Sequence, residues 1–315
     1  MSVQGPAVAN LVNRLSLQTW AKLASLYAGL VYGLYWIPLR ALEDAGLHEV
    51  LPSLMFNLVP MVLILPLIAW RWRYIRRAPL NFHITGVIVG LSIVGYTNAF
   101  LYTDVVRVLI LFYLTPIWGF ILARIVIGDL ITPIRMASIV LGIGGMLTIF
   151  GIDTGIPLPN NIGDWIALGA GILWAIASLM MLMGKQSPID YALWFFLWNG
   201  IAAIVVTAFF FGQNETALPA TSVFLDVLPW LIPLALLMII PAGFAVIFGP
   251  TQLNPGIAGI LFMVEIGVGT LTASIMTDEP FGWRELLGVL MITFAALIEP
   301  IRDLVRFRRE ASESA

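Results

Sequence analysis

The feature that most constrains this chain is a series of apolar runs, each about as long as a bilayer is thick. A helix rises about 1.5 Å per residue, so crossing roughly 30 Å of hydrocarbon takes about 20 apolar residues. Ten stretches meet that length: 20–40, 50–70, 83–102, 105–124, 133–150, 164–184, 190–211, 227–249, 256–277 and 283–300. Sixty per cent of the chain is apolar and 11% is charged, where a soluble domain carries about 25% charged residues. One soluble core cannot hide that much apolar surface, and lipid accepts it. The expected fold is therefore an all-α membrane protein with ten transmembrane helices. The eighth run holds Pro229, Pro233 and Pro241. Its kinks are expected to face protein or a cavity, because lipid offers a freed backbone group no partner. Residues ahead of Trp20 are polar, and the run that follows is too long for a signal-peptide core, so it reads as an uncleaved first span.

The same composition narrows function. The chain has no cysteine, which removes disulfides, iron–sulfur clusters and thiolate metal sites. Its two histidines, His48 and His83, stand far apart near run ends and are expected at the membrane surface, so no metal is expected. There is no P-loop, and Gly142-Ile-Gly-Gly145 follows no strand as a dinucleotide loop would. No nucleophile or cluster of ionisable groups marks an enzyme. A net charge of −2 gives no reason to expect nucleic acid. The expectation is a protein without cofactors, not an enzyme, whose partners are a small-molecule substrate and the lipid bilayer, and for which a monomer suffices.

Orientation follows from the cations. Arg71, Arg73, Arg76 and Arg77 crowd the second loop, and Arg302, Arg306, Arg308 and Arg309 the C-terminal tail. With both groups inside, both termini are cytoplasmic and, of 16 lysines and arginines, only Arg40, Arg107 and Arg284 fall outside. Asp104, Asp153, Glu215, Asp278 and Glu279 are among the acids that gather in the outer loops. The expected location is the cell inner membrane.

The chain also resembles itself. At a shift of 150 residues, Ile110–Ile125 falls on Ile260–Ile275 with six identities: Ile110/Ile260, Leu111/Leu261, Phe112/Phe262, Gly119/Gly269, Ala123/Ala273 and Ile125/Ile275. At a shift of 142, Leu26-Tyr-Ala-Gly-Leu-Val-Tyr-Gly33 lies on Leu168-Gly-Ala-Gly-Ile-Leu-Trp-Ala175. Two halves of five spans follow. Because five is odd, the second half enters the membrane from the opposite side, and inverted repeats of this kind are a transporter architecture. The expected organisation is a cytoplasmic segment 1–19, a first five-helix repeat 20–150, a periplasmic linker 151–163, a second repeat 164–300 and a cytoplasmic tail 301–315.

Several of these residues, in order and spacing, resemble the drug/metabolite transporter (DMT) superfamily in its ten-helix EamA-type branch. They are Ala99-Phe-Leu-Tyr-Thr103, Tyr113-Leu-Thr-Pro116, Gly128-Asp129 and Gly142 in the first half. In the second they are Gly163-Asp164, Leu173-Trp-Ala175, Glu265, Asp278-Glu279 and Leu287-Gly288. The resemblance spans residues 20–300; Ile266 stands where the family usually has proline, and Asp129 where glutamate is more typical. Within the branch, Phe112 to Trp118 looks like the YddG-type exporters of aromatic amino acids. The resemblance implies a central cavity lined by spans 1, 3, 4, 6, 8 and 9, with spans 5 and 10 bracing the outside. It also implies export of amino acids, aromatic ones above all, by alternating access. Other metabolites, nucleosides or amphiphilic drugs are the alternative substrates, and a passive channel or non-transporting protein is the alternative class.

Glu265 is the one ionisable side chain near the middle of a run. A charge there costs about 2.5–3.5 kcal/mol on insertion scales, so it must face protein, water or substrate. It serves either transport or a structural bond to a broken helix. Its repeat partner is the neutral Thr115. Tyr32, Tyr35 and Trp36 on span one, Tyr96, Asn98 and Tyr102 on span three, Tyr113 on span four, Trp174 and Ser178 on span six, and Phe262 beside Glu265 complete the candidate pathway. Such rings can stack an aromatic substrate while OH and NH groups orient its polar end; the competing reading is an interfacial belt. Trp20, Trp70 and Trp72 read as plain interface anchors. Asn57 and Asn199 read as interhelical hydrogen bonders. Arg107 reads as an ion-pair partner of Asp104, or as a contact for a substrate carboxylate at the mouth.

Overall fold

A computed structural model of the chain describes residues 6–99, 102–103, 105–150, 159–213, 218–276 and 282–313. Asp104, Asp153, Glu215, Asp278, Glu279 and most of the 151–163 linker lie outside the described residues. Among those described, every regular element is a helix, as lipid requires of a backbone that must satisfy its own hydrogen bonds. In chain order these are α1 (Pro6–Tyr32), α2 (Trp36–Asp44), α3 (Leu51–Ile75), α4 (Leu80–Ala99), α5 (Val105–Phe112), α6 (Thr115–Val126) and α7 (Pro133–Phe150). They are followed by α8 (Ile162–Met183), α9 (Pro188–Gln213), α10 (Thr221–Leu234), α11 (Ile240–Gln252), α12 (Pro255–Phe262), α13 (Val264–Met276) and α14 (Trp283–Glu313).

Seven helical segments are long and apolar enough to cross a membrane: Leu51–Ile75, Leu80–Ala99, Arg107–Val126, Ile162–Met183, Pro188–Gln213, Thr221–Gln252 and Pro255–Met276. Large apolar side chains face outward on them, among them Leu237 at 79% and Phe209 at 69% exposure. The chain is a multi-pass membrane protein. The other three expected spans depart from the simple pattern for visible reasons. The first apolar run is cut at Gly33–Tyr35, between α1 and α2. The fifth is an apolar helix just short of the length of the others. The tenth carries Arg284, Glu285 and Glu299 within its own length. Two boundaries also move: α1 begins at Pro6, inside the expected N-terminal segment, and α14 runs on to Glu313 through the expected tail.

The breaks have local causes. Pro116 lies in the first turn of α6, just after the break at Tyr113-Leu114 that follows α5. Proline lacks the N–H that an interior helical position needs and is tolerated in a first turn. In the eighth run Pro229 and Pro233 sit inside α10, and the strain is absorbed by a π-helical turn, Ala235–Ile239, before Pro241 in the first turn of α11. One side of that turn, Ala235 and Ile239, is buried and the turn packs on α3, while Leu236 and Leu237 of the same turn face outward. The α12–α13 joint at Met263 is tighter, with the Met263 N–H donating to Gly259 O and Ile260 O.

Helices pair as α7 with α14, α4 with α8 and α9, α3 with α9, α1 with α11, and α6 with α8 and α12. In lipid the helices gain little from the hydrophobic effect on meeting, so close backbone approach supplies the packing. Gly145 illustrates it: a Cβ there would stand 2.7 Å from Gly288 O, so α7 and α14 can touch only without one. Asn57 departs from its expected role. Its amide donates to Ser53 O at 2.8 Å, one turn back on its own helix, because a short side chain reaches that carbonyl more readily than a neighbouring helix. Asn199 is buried, and its Oδ1 has no hydrogen-bond partner among the described residues.

Candidate functional site

Six of the runs meet around one small cavity of about 40 Å³. Its wall is drawn from α1 (Ala28, Gly29, Tyr32), α4 (Ile93, Tyr96), the α5–α6 break (Phe112, Tyr113, Thr115), α8 (Trp174), α11 (Val246) and the α12–α13 break (Gly259, Phe262, Glu265). The runs numbered 1, 3, 4, 6, 8 and 9 along the sequence contribute, while α7 and α14 contribute no wall residue and pack on each other. Three of the six are interrupted beside the cavity: after Tyr32, at Tyr113-Leu114 and at Met263. Non-helical backbone at membrane depth is tolerated where it borders protein or a cavity, and this is where it occurs.

Glu265 lies in the first turn of α13. Tyr96 donates its hydroxyl to Oε1 at 3.3 Å, and Tyr113 donates to Oε2 in a short bond. A carboxylate in a helix's first turn also meets the positive end of the helix dipole. The charge is therefore met by two neutral donors and a dipole. Gly33 lets α1 close onto this turn, since a Cβ there would stand 2.7 Å from Glu265 O.

Aromatic rings make up six of the other twelve wall residues. Tyr96 and Phe112 lie 4.3 Å apart between centroids, Phe112 and Tyr113 5.4 Å, and Trp174 meets Phe262 edge-on at 6.1 Å. Thr115, in the position that the internal repeat aligns with Glu265, is buried and spends its hydroxyl on Phe112 O and Gly171 O.

The structure gathers Tyr32, Tyr96, Tyr113, Trp174, Phe262 and Glu265 at this cavity. Other candidates take different places. Tyr35 stacks on Tyr32 at 4.3 Å and meets Phe56 edge-on, behind the wall. Trp36 donates its indole N–H to Thr272 at 3.1 Å and ties the start of α2 to α13. Asn98 and Ser178 turn back on their own helices, to Val94 O and Trp174 O. Tyr102 is half exposed beyond the end of α4. Phe112, Ile93, Val246 and the glycines Gly29 and Gly259 were missed as wall residues; apolar side chains in apolar runs carry no mark of their own.

A second polar cluster closes one end of the same helices. Arg107 on α5 forks onto Asp164 on α8, with Nε 3.0 and 3.1 Å from the two carboxylate oxygens. Asp164 is fully buried and also accepts from Thr103 at 2.8 Å and from the Asn160 N–H at 3.0 Å. Asn161 caps α8 by accepting from Asp164 N–H at 2.9 Å. Arg107 is thus bonded to Asp164, a partner that neither sequence reading named, while Asp104 lies outside the described residues; Asp164 sits at the capped start of α8. Elsewhere, Arg71 forks onto Asp190 at 2.8 and 2.9 Å, and Asp129 joins Arg135 and Asn254. Among the described residues no three His, Cys, Asp or Glu side chains gather as a metal site would need.

No family model and no curated protein matches the chain. A solved structure described only as "Crystal structure of protein" is similar over 90% of this chain and 97% of its own, with a TM-score of 0.68 at 16% identity. That likeness is one of fold.

Proposed function

We propose that this chain is a secondary transporter of the drug/metabolite transporter type, in its EamA-like branch. In this reading it exports small metabolites that join an aromatic ring to an amino group, aromatic amino acids among them, by alternating access. The observation that carries the reading is the cavity itself: six runs converge on a wall of aromatic rings around a single carboxylate. A site of that composition can stack a flat apolar body and hold a polar end.

The pairing of helices supports ten spans in two inverted halves. Exchange span 1 with 6, 2 with 7, 3 with 8, 4 with 9 and 5 with 10, and α4 on α8 becomes α11 on α1, while α7 on α14, α3 on α9 and α6 on α12 each map onto themselves; all of these pairs are present. The interruption at Tyr113 likewise falls 150 residues before that at Met263, the same shift that aligns the sequences. Two such halves can exchange shapes, turning a cavity that opens to one side into one that opens to the other. The excess of cations in alternate loops supports both termini in the cytoplasm of an inner membrane.

Counterflow in proteoliposomes tests the reading. Vesicles preloaded with unlabelled phenylalanine, tryptophan or their decarboxylated amines are given trace label of the same compound, with threonine and empty liposomes as controls. The expected result is transient, saturable accumulation with aromatic amino compounds alone. Absence of accumulation with all of them, from a folded protein, would remove the aromatic-exporter reading.

A further inference from the structure

We infer that the cavity takes a protonated aromatic amine in preference to the corresponding zwitterionic amino acid, with Glu265 as the counter-charge to the ammonium. The inference rests on the transporter reading for its biological sense, and on the cavity's charge balance for its argument.

A zwitterion brings two charges into a water-poor site and needs a partner for each, because an unpaired buried charge is costly. The described wall offers a partner for only one. It holds a single carboxylate, Glu265, and no lysine, arginine or histidine. The nearest cations along the lining helices are Lys22 on α1, six residues and about 9 Å of helix rise from Ala28, and Arg107 on α5, five residues and about 7.5 Å from Phe112. Arg107 is moreover held by Asp164.

A half-helix start can also receive a carboxylate, as in transporters with interrupted spans. Of the three starts beside this cavity, those at α6 and α13 contribute wall residues and that at α2 contributes none. The one at α13 already carries Glu265. The one at α6 has little to offer: Pro116 has no N–H, the Ile117 and Trp118 N–H groups donate to Leu114 O, and Thr115 directs its hydroxyl to two backbone carbonyls. Beyond the Tyr32 hydroxyl and the Trp174 indole N–H, both neutral, a substrate carboxylate would therefore meet aromatic faces, which repel anions for the same reason that they attract cations.

An ammonium fits on every count. A carboxylate has roughly four lone-pair sites, and Tyr96 and Tyr113 occupy one on each oxygen. The remaining sites can accept from an amine. Aromatic faces beside it add cation–π attraction, which is strongest where water is excluded. The substrate's own ring would then lie among Phe112, Trp174 and Phe262, which are already placed for edge and face contacts.

The test measures binding separately from transport. Phenethylamine, phenylalanine and 3-phenylpropionate, which share one ring and differ in charge, are titrated calorimetrically into the full chain in detergent. Measurements are made near pH 7, on wild type, Glu265→Gln and Glu265→Asp. Wild type is expected to bind phenethylamine at least about tenfold more tightly than phenylalanine, and phenylpropionate not at all. Glu265→Gln should abolish the preference, and Glu265→Asp, which keeps the charge, should retain it. Equal or tighter binding of phenylalanine by wild type would overturn the inference, as would an undiminished amine preference in a folded Glu265→Gln protein. If Glu265→Gln does not fold, the wild-type ranking decides. Tight amine binding without counterflow of any compound would leave the amine site standing and remove the transporter reading.

Discussion

The ion pair between Arg107 and Asp164 offers the most quantitative test of the structure. Arg107→Ala would strand a fully buried carboxylate that now accepts the fork of the guanidinium. Removing one partner of a buried pair costs about 3–5 kcal/mol, because the remaining charge is left without compensation. Asp164 would keep the Thr103 hydroxyl and the Asn160 N–H, which places the expected loss near the lower bound, about 3 kcal/mol. Arg135→Ala supplies the contrast. Its partner Asp129 has 32% of its side chain exposed and keeps Asn254 as a donor, so the loss there should stay below about 1 kcal/mol. Chemical unfolding in mixed micelles, followed by tryptophan fluorescence, reads both variants in one experiment. A double variant with Asp164→Ala should lose less than the sum of its parts, since the stranded charge is gone. Equal and small effects of Arg107→Ala and Arg135→Ala would mean that Asp164 is hydrated, and the buried cluster joining α4, α5 and α8 would have to be abandoned.

Two further predictions concern packing and topology. Gly119→Ala places a Cβ 2.6 Å from Gly256 N and 2.7 Å from Pro255 C, forcing α6 off α12, and should destabilise by about 1–3 kcal/mol. Gly169→Ala, with nothing within 4 Å of the new atom, should be neutral or stabilising by up to about 1 kcal/mol; thermal unfolding of the two variants side by side checks the difference. Epitope tags at either terminus should stay inaccessible in intact cells and become accessible on permeabilisation, and surface labelling of either one would overturn the proposed orientation.

The legibility of these features in the sequence followed their physics. Glu265 could be found because a charge inside an apolar run is costly and therefore stands out. Tyr32, Tyr96, Tyr113 and Trp174 could be found because polar-tipped rings are conspicuous among aliphatic neighbours, although the same signal also picked Tyr102 and Trp36, which lie elsewhere. Phe112 and Val246 carry no such mark, because an apolar residue facing a cavity and one facing lipid read alike. The interruption at Tyr113-Leu114 has a nearby proline to announce it, whereas that at Met263 has none. The bond from Arg107 to Asp164 was out of reach for another reason: Asp164 is 57 residues away. Asn57 shows the converse, a polar group in an apolar run that satisfies itself locally.

Access to the cavity from both sides of the membrane is the central claim, and thiol labelling tests it most directly. The chain has no cysteine, so Ile93→Cys on α4 or Val246→Cys on α11 introduces a single thiol into the cavity wall. Val140→Cys, 63% exposed on the outward face of α7, serves as the lipid-facing control. Each variant is treated with a membrane-impermeant maleimide in right-side-out and in inverted vesicles. The account predicts that both wall thiols react from either side, more slowly with a bound aromatic amine, while the control reacts from neither. Reaction of the wall thiols from one side only, or from neither, would contradict a cavity that opens alternately to the two faces of the membrane.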